Sequence, residues 1–179
     1  MKPIFLWSIA LCGFLFSGWA QDRAAGPVIM EFGKVSKIEN PDFKTDTSLE
    51  FKAVFDIMST PDNQGELNKS IETAARFLNM HAQAGVPPEN LKVALILHNL
   101  ATKDLMSNEA YQKRYGTNNP NAELISALQA AGGQVIVCGQ SIHSRGFSKE
   151  ELLPNVQVAL SAMTALIQLQ KNDYNLIKF

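Results

Sequence analysis

The residues able to do covalent chemistry near neutral pH are few: two cysteines, Cys12 and Cys138, and three histidines, His81, His98 and His143. Cys138 closes the apolar run Gln134–Cys138 (QVIVC) and is followed by Gly139-Gln140-Ser141. A sulfur at the tip of a strand that leads into a helical turn lies near free backbone N–H groups, which favour thiolate over thiol and lower its pKa. Gly139 has no side chain to keep another molecule off the sulfur. His143 and Arg145 add positive charge a few residues on, and His98-Asn99 ends a second apolar run, Leu91–Leu97 (LKVALIL). The chemistry such a set could perform is nucleophilic attack by sulfur and thiol exchange. Each residue also has a structural reading. An unpaired cysteine packs well as a small buried hydrophobe. His98 can hydrogen-bond a loop carbonyl, and His143 and Arg145 can be solvated charges. His81 reads as a structural or exposed helix residue, and Met80, Met106 and Met163 as gap-fillers rather than copper ligands.

Other chemistries lack their residues. Cys138, His98 and His143 could in principle hold zinc or cuprous copper, but no close-spaced ligand pair anchors such a site, so no metal and no cofactor is expected. The chain has no glycine-rich phosphate loop, no Gly-x-Ser-x-Gly elbow and no HExxH helix. It has no CxxC either, so a thioredoxin-like dithiol would lack its resolving sulfur. A formal net charge of −1 leaves no basic excess to hold a polyanion, which argues against nucleic acid as a partner.

The start of the chain sets the compartment. Lys2, the apolar run Ile4 to Phe16 and the small residues around Gly18-Trp19-Ala20 read as a secretory signal peptide cut after Ala20. Cys12 falls inside it, with Leu11 where a lipoprotein site needs a small residue. The mature protein is therefore expected to be periplasmic or secreted, with no membrane anchor. Cys138 is then a single cysteine in an oxidising compartment, without an intramolecular partner. It is an inert buried thiol, an intermolecular bridge or a reactive group.

The elements that must position it alternate. Residues 21–48, rich in Pro, Gly, Asn, Asp and Lys, read as an N-terminal arm with room for a short strand, ahead of a domain over 49–179. Phe51 to Met58 is a strand. A helix follows with Leu67, Ile71, Ala75, Leu78 and Ala82 on one side and Gly85 as its stop. Leu91–Leu97 is a strand buried on both faces. Ala101 to Asn119 reads as a polar excursion above the sheet with a short helix at Glu109–Tyr115. Asn119-Pro120 opens a helix that buries Leu124, Leu128 and Ala131. Val156–Leu160 is a further strand, Ser161 caps a last helix with Ala162, Met163, Leu166, Ile167 and Leu169 toward the core, and Tyr174 to Phe179 closes the sheet. The sum is a three-layer α/β/α sandwich with a mostly parallel sheet of about five strands, whose ligand sites gather at the carboxyl ends of strands.

Several of these stretches resemble one family. Leu91 to His98, Asn119-Pro120, Val137-Cys138-Gly139-Gln140-Ser141, Arg145-Gly146, Leu160 to Ala165 and Tyr174 to Phe179 together resemble the exported branch of the DsrE/DsrF-like sulfur-relay family. The resemblance runs from about residue 28 to 179. It implies a compact α/β sandwich that assembles as a trimer or hexamer. It also implies sulfane sulfur held as a persulfide on Cys138, with Gly139, Gln140 and Ser141 around it and His98, Asn99, His143 and Arg145 as pocket-lining candidates. The partners would be thiol-bearing donor or acceptor proteins. Asn99 departs from the pattern, since many relatives would have glycine there. The competing expectation is a non-catalytic oligomeric binding module with a small-ligand or partner pocket at the sheet end.

Overall fold

A computed structural model describes residues 23–178; the expected signal peptide lies outside the described residues. Strand β1 (Arg23–Ala24) pairs antiparallel with β2 (Val35–Ser36) in the N-terminal arm. Then follow β3 (Phe51–Ile57), α1 (Lys69–Gln83), β4 (Leu91–Leu97), α2 (Asn108–Tyr115), α3 (Ala122–Ala130), β5 (Gln134–Cys138) and α4 (Gly139–Ser144). Strand β6 (Gln157–Ala159), α5 (Ala162–Lys171) and β7 (Asn175–Ile177) complete the order. The main sheet runs β6-β5-β4-β3-β7, and every pair in it is parallel.

Side-chain alternation along each strand divides the core into two layers. Ala53, Phe55 and Ile57 of β3, Leu91, Val93, Leu95 and Leu97 of β4, and Val135 and Val137 of β5 pack under α1 and α3. Val54, Ala94, Ile96, Ile136 and Cys138 face the other way, against Ala162, Ala165 and Leu169 of α5. Strand β4 is central and apolar on both sides, as a strand buried between two helix layers must be. This is the expected three-layer sandwich.

Helix α5 departs from its expected orientation. Met163 and Ile167 point outward, 72% and 59% exposed, while Ala162, Ala165 and Leu169 are the buried residues. Small residues at the contact let the helix lie close to the sheet, and its larger apolar side chains are left on the outside. Met80 is likewise exposed, so of the three methionines only Met106 fills the core.

The stretch after β4 is also not a surface excursion, because Ala101 to Met106 is buried throughout. Its polar residues form part of an internal plug. Asn68 caps α1 by accepting from Ser70 N at 2.9 Å, and its amide donates to Asp104 Oδ2 at 2.7 Å and to Ser59 O at 2.8 Å. The Thr60 hydroxyl donates to Asp104 Oδ1 at 2.8 Å, and the Asn119 amide donates to the carbonyls of Asp104 and Met106. Asn121 Oδ1 accepts from Asn68 N at 2.8 Å, which ties the start of α3 to the start of α1. Pro120 therefore precedes α3 rather than sitting in its first turn, since Asn119 and Asn121 are committed to the plug. Burial pushes the Asp104 carboxyl above the ordinary range, partly offset by its bonds from Asn68 and Thr60.

One buried side chain makes five hydrogen bonds to the arm. Asn79, fully buried on α1, accepts from Val28 N and Ile29 N and donates to the carbonyls of Ile29, Phe32 and Gly33. A Cβ on Gly33 would lie 2.5 Å from the Ala75 carbonyl carbon, so the arm backbone rests directly on the helix.

Asn68→Ala removes the α1 cap and leaves a buried carboxylate and a buried carbonyl short of a donor. The expected loss is about 2–4 kcal/mol, read as a lower urea midpoint with an unchanged m-value.

Candidate functional site at the carboxyl end of the sheet

The parallel register sets the site. Leu97 of β4 pairs with Val137 of β5, so the next residues along, His98 and Cys138, stand side by side where the two strands end. Ile57 of β3 pairs with Leu97, which puts Asp56 two places short of that line. Asp56 and Cys138 occupy positions that project toward α5.

Cys138 is 6% exposed, and its sulfur meets two chain segments. Beside it are the hydroxyl and N–H of Ser141, the N–H of Gln140 and, from the start of α5, the N–H of Ala162. Burial pushes the thiol up. The Ser141 hydroxyl and the three backbone donors outweigh it, and the thiol is held below the ordinary cysteine value. Ser161 presents the Ala162 N–H by capping α5, its hydroxyl accepting from Thr164 N at 3.1 Å.

Ser141 also links the two strand ends, because its Oγ accepts from Asn99 N at 3.0 Å and lies beside the sulfur. Asn99 has φ 51, in the left-handed region that glycine adopts freely and asparagine tolerates. Its Oδ1 accepts from the Arg145 guanidinium at 2.8 Å. Gln140 donates from its amide to Leu160 O at 3.2 Å.

His98 is half-buried and donates from Nε2 to Asp56 Oδ1 at 2.8 Å. Asp56 Oδ2 receives Lys178 Nζ at 3.0 Å. With Nε2 on the carboxylate, the imidazole has its orientation and tautomer fixed.

Two expected roles change. Gly139 does not open a path to the sulfur: a Cβ there would lie 2.7 Å from the Ala159 carbonyl oxygen, so the chain's own β6 occupies that space. His143 is exposed, and its side chain makes no hydrogen bond among the described residues. It stands two residues past Ser141 on a helical turn and so faces away, whereas Arg145, four residues past, returns to the same side. The sequence reading missed Asp56 and the Ala162 N–H. A charged residue inside the apolar strand FKAVFDI was the available signal for Asp56. A backbone donor leaves no side-chain signature. Among the described residues no three His, Cys, Asp or Glu side chains converge as a metal site, and no helix is long and apolar enough to cross a membrane.

Comparison with known proteins agrees with this geometry at the level of the fold. The profile of the DsrE/DsrF-like family matches residues 52–179, and the chain belongs to that family. Among solved structures it is similar to the protein of unknown function MTH1491 from Methanobacterium thermoautotrophicum, with a TM-score of 0.53 and 15% identity. The match covers 72% of this chain and 99% of that one. The ychN protein from E. coli gives a TM-score of 0.49 at 20% identity, with the same coverage of both chains. No curated protein matches.

Ser141→Ala removes one donor from the sulfur and should raise the Cys138 pKa toward the ordinary thiol range. Alkylation rate against pH is the measurement. The native thiol is expected to keep reacting at pH values where a free cysteine has stopped, and the variant to lose rate there first.

Proposed function

We propose that this protein is an exported sulfur carrier or transferase that accepts sulfane sulfur as a persulfide on Cys138. The observation that carries the proposal is the set of donors at that thiol: backbone N–H groups from two separate segments and one hydroxyl converge on a single sulfur and favour its ionised form. Such donors stabilise an anion at this position whether it is a thiolate or the terminal sulfur of a persulfide. In the loading step the Cys138 thiolate attacks the outer sulfur of a donor R–S–SH. A new S–S bond forms, the bond between the donor's two sulfurs breaks, and RS⁻ leaves with the electron pair. In the transfer step an acceptor thiolate attacks the outer sulfur of the persulfide, and the Cys138 thiolate departs. No external oxidant or reductant is consumed. His98, aligned by Asp56, stands beside Cys138 in the register and can hold or release the proton that accompanies either step.

Incubation with polysulfide should add one sulfur atom to Cys138, seen by mass spectrometry and released by dithiothreitol. Cys138→Ser should carry none. An unmodified native thiol would overturn the reading and leave the alternative, a non-catalytic oligomeric binding module, which the 6% exposure of Cys138 favours.

The proposal includes export and self-association. The signal-like segment through Ala20 supports the first, and the secreted protein should begin at Gln21 when its N-terminus is sequenced. The uncovered apolar residues Leu160, Met163 and Ile167 support the second. Sedimentation velocity should find a trimer or hexamer at micromolar concentration, and Ile167→Glu should weaken it.

A further inference from the structure

A second site lies away from the sulfur, at the other end of β3 and on the opposite face of the sheet. Helix α1 covers β3 and β4 but leaves the β3–β7 edge open. The result is a cleft of about 690 Å³ between α1 and these strands, within the size range of small-molecule sites. Its walls are Phe51, Phe55 and Phe77, with Met80 and Ile177 at the margin. The rings are held in place before anything binds. His81 packs between Phe51 and Phe77 at centroid distances of 4.7 and 4.4 Å, and Phe55 meets Phe77 edge-on at 6.0 Å. His81 Nδ1 donates to Phe77 O at 2.8 Å, which fixes its ring as part of the wall.

Charge at the mouth is uneven. Lys69 is paired with Glu72 at 2.9 Å, and Glu72 also takes the Gly33 N–H. Lys52 is paired with Glu50 at 3.0 Å. Arg76, on the cleft side of α1 between Thr73 and Met80, has no carboxylate within ion-pair distance among the described residues. It feels the charge of Glu72, but that carboxylate is already occupied. An aromatic trough with a single uncommitted guanidinium at its lip complements one kind of molecule. The body must be apolar, and the head must be a planar anion able to meet the guanidinium fork.

We propose that this cleft binds a free small-molecule monoanion with an apolar body, an acyl or aryl carboxylate, with its chain among Phe51, Phe55 and Phe77 and its carboxylate on Arg76. The site is independent of Cys138 and of sulfur chemistry. Titration calorimetry of the full mature chain with decanoate, and with decanol as the uncharged counterpart, tests it. Decanoate should bind saturably at one site per chain. Arg76→Gln should weaken decanoate about tenfold or more and leave decanol unchanged, because only the head contact is lost. Thr73→Trp, which fills the cleft from α1, should weaken both, and Met80→Trp serves the same purpose if the first variant does not fold. Three results would each overturn the proposal: no saturable binding of decanoate, equal weakening of both probes by Arg76→Gln, or binding indifferent to a tryptophan that blocks the cleft.

Discussion

The meeting of two strand ends around one sulfur depends on the pairing of β4 with β5. Leu97 opposite Val137 brings His98 beside Cys138, and the same alignment lets Ser141 reach the Asn99 N–H across the gap. In a parallel sheet a slip of one residue turns every side chain to the other face. Here it would send Cys138 under α3 and away from the Ala162 N–H. The apolar residues on both faces of β4 and β5 oppose that slip, because each side has a helix layer that only one register fills. The core and the site thus share a single constraint.

Around that register the molecule spends its buried polar groups on holding loops. Asn68, Asp104, Asn119 and Asn121 close one side of the sheet's carboxyl end and position the segment that follows His98. Asp56 and Lys178 secure the imidazole itself. A charged aspartate buried as deeply as Asp104 is costly unless it is hydrogen-bonded, and its bonds come from residues far away in the chain. Its cost is therefore tied to correct assembly of the whole end of the sheet.

Much of this was legible before any coordinates. Apolar runs such as LKVALIL and QVIVC define buried strands by composition alone, and residues just past their ends, His98, Asn99, Ser141 and Arg145, lie grouped around the end of β5. What could not be read has physical causes. The edge strands β6 and β7 are three residues each, too short for a pattern to fix their order. Helix α5 carries a wide apolar arc, so periodicity could not tell that its alanines rather than Met163 and Ile167 meet the sheet. Buried Thr102, Lys103 and Asp104 mimic loop composition, which made the 101–106 segment look solvated. The close approach at Gly139 is visible only once β6 is in place.

Because the Ala162 N–H belongs to a helix late in the chain, the acidity of Cys138 measures whether that helix is seated. Lifting the start of α5 would remove a donor from the sulfur, and an ionised sulfur in turn draws the helix down by the same free energy. Ionisation at one atom and docking of a whole element are thereby thermodynamically linked, with no separate switch required.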